Sequence, residues 1–176
     1  MYTTKLLERF GLAGCNPRKL LFDSGVKLTD DPKPFTDENL IKLYQQITGC
    51  LIYLAKHTRP EISWNVTQLA RFMGKPGESH LRASKELLRY LSGTVTYGLN
   101  FDCSEPSAME QLLAYADASW GTAYDGKSYT GWLVKCCGGA FTWTSTVQKC
   151  TALSTMESEL IAACELLREL AWLEKL

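Results

Sequence analysis

Tyr115-Ala116-Asp117-Ala118-Ser119-Trp120 and Ala152-Leu153-Ser154-Thr155-Met156-Glu157-Ser158-Glu159-Leu160-Ile161-Ala162-Ala163 decide how this chain is read. The first word follows Leu112-Leu113-Ala114 and completes a compact apolar run of strand type, with a carboxylate at its end. The second begins with Ser154-Thr155, good helix-capping residues, and then shifts the apolar period to 3.6. On that period Leu153, Met156, Leu160, Ala163, Leu167 and Leu170 form one apolar stripe of a helix that reaches the C-terminus. Between the two words, residues 129–136 and 140–144 read as strands joined through Gly138-Gly139, a tight-hairpin signal. Strand, hairpin and helix predict a small α+β unit over about 106–176.

Upstream the pattern is helical. Thr4 to Gly11 reads as a short helix, followed by a loop through Pro17, Gly25, Pro32 and Pro34. Thr36-Asp37-Glu38-Asn39 caps a helix with Leu40, Leu43, Ile47, Leu51 and Leu54 at spacings of three and four. Thr58 is expected to cap the next helix, with Pro60 in its first turn and Ile62, Val66, Leu69 and Phe72 or Met73 inward. Ser79 opens a third, with Leu81, Leu87, Leu88 and Leu91 inward and Gly93 at its end. His80 helps to start this helix, and His57 stands at a helix end.

The 176 residues, 45% of them apolar, suit one ordinary domain or two small ones. Charges break the apolar runs well short of a membrane span, and the N-terminal Met1-Tyr2-Thr3-Thr4-Lys5 is not a signal sequence, so no membrane and a cytoplasmic or nuclear location are expected. Seven cysteines, at 15, 50, 103, 136, 137, 150 and 164, include no C-x-x-C and read as reduced, structural thiols rather than zinc ligands. The zero net charge hides an asymmetry. Residues 1–100 carry 14 Lys+Arg against 9 Asp+Glu, and residues 101–176 carry 5 against 10. A basic half beside an acidic half suits a polyanion grip next to a site that collects carboxylates for a cation, although ordinary solvated surfaces can also differ in this way.

With Thr58-Arg59-Pro60-Glu61-Ile62, His80-Leu81-Arg82-Ala83-Ser84-Lys85 and Leu88-Arg89-Tyr90-Leu91-Ser92-Gly93-Thr94, the two opening words resemble the C-terminal end of the Pol polyprotein of copia-type retrotransposons. The words follow the family's order over nearly the whole chain. The resemblance implies that residues 1–105 lead from the reverse-transcriptase palm into its thumb and connection, and that residues 106–176 open a ribonuclease H domain. That domain has five strands in the family, so the expected fold is α+β: a helical connection region, then an incomplete ribonuclease H-like half-domain of three strands and one helix. The complete polyprotein copies RNA into DNA and hydrolyses the RNA strand of RNA–DNA hybrids with Mg2+.

Two-metal hydrolysis needs hard cations roughly 3.5–4 Å apart, and magnesium takes oxygen ligands, so carboxylates must converge from several elements. Carried over by motif, the first catalytic and metal-binding carboxylate is Asp117 and the second is Glu159. Geometry alone leaves Glu157 and Glu159 open, because they sit about 200° apart on a helix and only one can face Asp117. The family's third carboxylate, from a fourth strand, has no counterpart here, and its paired polymerase aspartates lie upstream of residue 1. Metal binding by these residues alone is therefore expected to be weak. Arg82, Lys85 and Arg89, three and four residues apart, form a basic ridge able to follow a phosphate backbone, with an RNA–DNA hybrid or other nucleic acid as partner. The rival expectation is a non-catalytic remnant that holds nucleic acid or a partner protein. The open edge of the 112–116 strand also predicts association with the rest of the polyprotein, a completing chain, or itself.

Overall fold

The computed structural model describes residues 2–21, 28–104, 112–123 and 125–175. The chain forms two compact units, Met1–Gly98 and Leu99–Leu176. The division expected near residue 105 falls among residues outside the described set. Residues 99–104 belong with the second unit, where the Asp102 N–H donates to the Cys137 carbonyl at 2.8 Å.

The first unit contains α1 (Tyr2–Arg9), α2 (Glu38–His57), a 3-10 turn at Pro60–Ile62, α3 (Ser63–Ala70) and α4 (Glu78–Gly93). The Asp37 carboxylate caps α2 by accepting from the Asn39 N–H at 2.8 Å. Tyr44, Ile47, Leu51 and Leu54 of α2 pack with Ile62, Val66 and Leu69, and with Leu81, Leu87, Leu88 and Leu91 of α4, in one buried cluster. The spacing-based core is thus largely realised, with Tyr44 taking the place next to Leu43, and its hydroxyl donates to the Leu69 carbonyl at 2.7 Å. Thr58 does not start a helix. It is the C-cap of α2, its N–H donating to the Leu54 carbonyl, and Arg59 leads into the 3-10 turn.

Arg59 is 2% exposed, an extreme position for a guanidinium. Its Nε donates to Glu61 Oε1 at 2.6 Å and its Nη1 to the Thr94 carbonyl at 3.1 Å, while Nη2 donates to Thr94 Oγ1 at 2.5 Å. The rings of Tyr90 and Tyr97 lie 5.9 and 5.8 Å from its Cζ. The turn after α2 is thereby bound to the C-terminus of α4. His80 is equally buried: its Nδ1 accepts from the Gly77 N–H at 3.0 Å, its Nε2 donates to the Thr29 carbonyl at 2.9 Å, and it stacks on Phe72 at 4.2 Å. That pattern requires the neutral ring.

In the second unit β1 (Leu113–Ser119), β2 (Tyr129–Cys136) and β3 (Gly139–Val147) form an antiparallel sheet in the order β1-β2-β3, and α5 (Thr155–Leu173) packs on β1 and β2. Together with the helical first unit this is the expected α+β arrangement, its strand order and helix being those of the opening half of a ribonuclease H-like domain. The hairpin turns at Cys137-Gly138, with φ of 49° and 75°, rather than at Gly138-Gly139. Positive φ at both central residues is the twist-matched hairpin geometry. Gly139 instead begins β3, where a Cβ would come within 2.4 Å of the Asn100 carbonyl oxygen and 2.7 Å of the Phe101 ring.

Part of the 153–170 stripe of α5 is exposed. Ser158, Ala162 and Leu166 are buried, whereas Leu153, Met156, Leu160 and Leu167 are 87, 72, 59 and 61% exposed. Apolar residues ring this helix, so it has a second apolar face that single-stripe reasoning overlooks. Polar bonds select between the two. Gln148 Nε2 donates to Thr130 Oγ1 at 3.0 Å and to the Ser158 carbonyl at 2.9 Å, and Thr142 Oγ1 bonds to Glu169 Oε1 at 3.3 Å.

Two stability predictions arise. Arg59→Ala removes a buried charge with three hydrogen bonds and should cost the first unit about 3 kcal/mol, read as a lower urea midpoint. A loss below about 1 kcal/mol would contradict the assigned role. Burial lowers the His80 pKa from its ordinary 6.5, against the opposing effects of the Thr29 carbonyl, Asp31 and Asp30. The unfolded chain therefore takes the proton first, and stability present above about pH 6.5 declines as pH falls toward the folded value. Urea titrations across this range should show that decline, flattened in His80→Gln.

Candidate functional site

Asp117 lies on β1 opposite Gly131, with Ser145 next across the sheet. Strand alternation groups Ala114, Ala116 and Ala118 with Thr130, Val134 and Thr142 on the face that α5 covers, and places Asp117 on the other face. Among the described residues β1 pairs on one side only, so Asp117 stands on an edge strand. Its carboxylate is exposed and has no side-chain partner among the described residues.

The start of α5 explains the two competing glutamates. Ser154 is the N-cap and accepts from the Glu157 N–H at 3.2 Å; Glu157 reaches back to accept from the Leu153 N–H at 2.6 Å. This reciprocal arrangement is a capping box in function, and it occupies the Glu157 carboxylate. At about 100° per residue, Glu159 stands roughly 60° from the centre of the face built by Ser158, Ala162 and Leu166, and Glu157 about 140° from it. Glu159 is exposed and, among the described residues, has no side-chain partner.

Two features set the direction of α5 along β1. The Trp120 indole N–H donates to the Ala152 carbonyl at 3.1 Å, joining the end of β1 to the segment before α5. At the other end Leu112 lines a shallow pocket with Leu167, Leu170 and Leu173. The helix therefore runs antiparallel to β1. Asp117 lies on the sheet face away from α5, and Glu159 on a flank of that helix. Exposed, unpaired carboxylate oxygens of this kind fit a hard cation such as magnesium. No group of three or more His, Cys, Asp or Glu gathers in a metal-holding arrangement among the described residues.

The ridge on α4 is less uniform than its spacing suggests. Arg82 is exposed and within 3.6 Å of Glu86, and Lys85 is exposed. Arg89 is half-buried, its Nε donating to the Asn16 carbonyl at 2.9 Å, while Glu86 also pairs with Arg18. Arg89 thus anchors the loop after α1, a use that its spacing on α4 could not reveal. No helix among the described residues is long and apolar enough to cross a membrane.

A helical first unit and a three-stranded sheet with one packed helix define an α+β protein of the kind its sequence resembles. Known proteins make the family definite. Over 179 residues the chain is 39% identical to the retrovirus-related Pol polyprotein from transposon TNT 1-94 of Nicotiana tabacum, covering 99% of this chain and 13% of that protein. Over 156 residues it is 36% identical to the Pol polyprotein from transposon RE1 of Arabidopsis thaliana, covering 88% and 10%. It is also 37% identical over 131 residues to secreted RxLR effector protein 161 of Plasmopara viticola, covering 74% of this chain and 90% of that protein. The chain belongs to the copia-type retrotransposon Pol polyprotein family. It spans about a tenth of the length of those transposon polyproteins. No protein-family profile matches it, nor does any solved structure.

The capping geometry makes a testable distinction. Glu157→Ala should destabilise the second unit by about 1 kcal/mol through loss of the cap, whereas Glu159→Ala should change stability by less than about 0.5 kcal/mol. Thermal unfolding of the two variants checks it; equal losses would remove the basis for separating the glutamates.

Proposed function

We propose that this chain is the part of a retrotransposon Pol polyprotein that leads from the reverse-transcriptase thumb and connection into ribonuclease H, and that it supplies Asp117 and Glu159 to a two-metal nuclease site. The observation that supports the reading is that Asp117 on β1 and Glu159 on α5 are both exposed, on elements joined by the Trp120–Ala152 bond. Magnesium bound there would activate water and stabilise the leaving oxygen. The chain's own residues hold the two carboxylates at the β1 edge and keep Glu157 out of competition. Further ligands come from other segments of the polyprotein or from a completing chain. Arg82 and Lys85, with the outer nitrogens of Arg89, contact the phosphates of an RNA–DNA hybrid in the cytoplasm or nucleus.

The test is hybrid cleavage by the complete Pol polyprotein. Asp117→Asn and Glu159→Gln should each lower cleavage by more than the roughly 10–100-fold typical of residues that only orient a metal ligand, while Glu157→Gln retains it. Cleavage that survives Asp117→Asn would overturn the assignment. Replacing Arg82, Lys85 and Arg89 together by Ala should flatten the salt dependence of hybrid binding by two to three phosphate contacts' worth at most, about 0.9 in log–log slope for each contact on duplex. An unchanged slope would make the ridge an ordinary solvated face.

A second reading, that the chain holds a partner without cutting, draws on two observations. The relative from Plasmopara viticola, named a secreted effector, matches over 90% of its own length. The stripe at 153, 156, 160, 163, 167 and 170, exposed at Leu153, Met156, Leu160 and Leu167 and half-buried at Ala163 and Leu170, has the alternating three-four spacing that receives another helix. The covering partner is accordingly a helix, from the rest of the polyprotein or from a completing chain. Without it the isolated protein should associate as concentration rises, through this stripe and the β1 edge, in a light-scattering series. A monomer throughout would count against both contacts.

A further inference from the structure

Three cysteines that sequence separates are brought together at the tip of the β2–β3 hairpin. Cys136 and Cys137 adjoin, their sulfurs 3.9 Å apart, and the chain at 99–104 runs up to them. The Asp102 N–H donates to the Cys137 carbonyl at 2.8 Å, and the Phe101 ring and Asn100 carbonyl lie against Gly139. The next residue, Cys103, meets Cys137 thiol to thiol. Cys103 is exposed, Cys136 half-buried and Cys137 buried, at a positive φ that fixes where its side chain is directed.

We propose that Cys103 and Cys137 are an oxidisable dithiol, a modification site whose disulfide staples residues 99–104 to the hairpin tip. The roles follow from position. Hydrogen bonding with Cys103, burial and the neighbouring Cys136 push the Cys137 thiol up to about 12, so it is protonated at neutral pH and is not the first attacker. Exposed Cys103 is the entry point. With a disulfide such as oxidised glutathione as oxidant, the Cys103 thiolate attacks one glutathione sulfur, the S–S bond breaks, and one glutathione leaves as thiolate. The Cys137 sulfur then attacks Cys103, giving its proton to solvent and releasing the second glutathione. The protein loses two electrons and two protons, and the glutathione disulfide becomes two thiols. Cys136 competes poorly, since the backbone bond from Asp102 brings the incoming segment to Cys137.

The full chain is incubated with oxidised glutathione, its remaining thiols are alkylated without reduction, and the peptides are mapped by mass spectrometry. The expected result is a peptide pair linked through Cys103 and Cys137, an alkylation-resistant Cys103, and a thermal midpoint that rises and returns with dithiothreitol. Cys103→Ser, at an exposed site, should abolish the linked pair, and Cys136→Ser should leave it. A Cys136–Cys137 linkage, a stable glutathione adduct on Cys103, or free alkylation of both residues would each overturn the proposal.

Discussion

The seat of α5 on the sheet depends on one buried side chain, Gln148. Its backbone N–H donates to the Ser128 carbonyl at 2.9 Å, while its amide spans Thr130 on β2 and Ser158 on α5. A helix with apolar residues around its circumference has no rotation dictated by burial alone. Each buried Leu contributes roughly 1.5–3 kcal/mol, whichever of its two stripes is covered. In the observed rotation the Gln148 Nε2 makes both of its bonds, to Thr130 and Ser158, while its Oε1 is buried without a partner among the described residues. The same rotation puts Glu159 beside the covered face and Glu157 on the far side. The chemistry of the candidate site is therefore set by a residue that is not part of it.

In the first unit the equivalent device is the Arg59 guanidinium. Thr58-Arg59-Pro60-Glu61-Ile62, one of the words that carry the family resemblance, is a structural joint: it ends α2, turns the chain, and ties the turn to Thr94 beyond α4. Arg rather than Lys suits the place, because a planar fork can meet a carboxylate, a carbonyl and a hydroxyl at once while its face lies near two tyrosine rings. His80 does the same for the loop before α2, linking Thr29 to the first turn of α4. Words shared along a family thus mark fold as well as chemistry, and here the polar words of the first unit mark fold.

What was legible in the sequence had local causes. The three-four spacing of Ile47, Leu51 and Leu54, and of Leu81, Leu88 and Leu91, located α2, α4 and their shared core. The Ser154 cap and the glycines of the hairpin were equally readable. Features that depend on partners distant in sequence were not. Arg59 meets Thr94 35 residues away, Arg89 meets Asn16 73 residues away, and Cys103 meets Cys137 across the linker and two strands. Composition could not show whether a charged or thiol group would find such a partner. The rotation of α5 was not legible for a different reason: two apolar stripes satisfy its period.

The carboxylate pair also has an electrostatic logic that needs no side chain beyond those described. The second unit carries five more acidic than basic residues, and the first carries the reverse excess. Asp117 and Glu159 are both exposed, so solvent screens each of them. Glu157 is spent on the cap of α5, where the positive helix terminus stabilises it. Glu159, two residues further on, lies past the strongest part of that field and has no cap to satisfy. Unlike Glu157, it is not spent on holding the helix end.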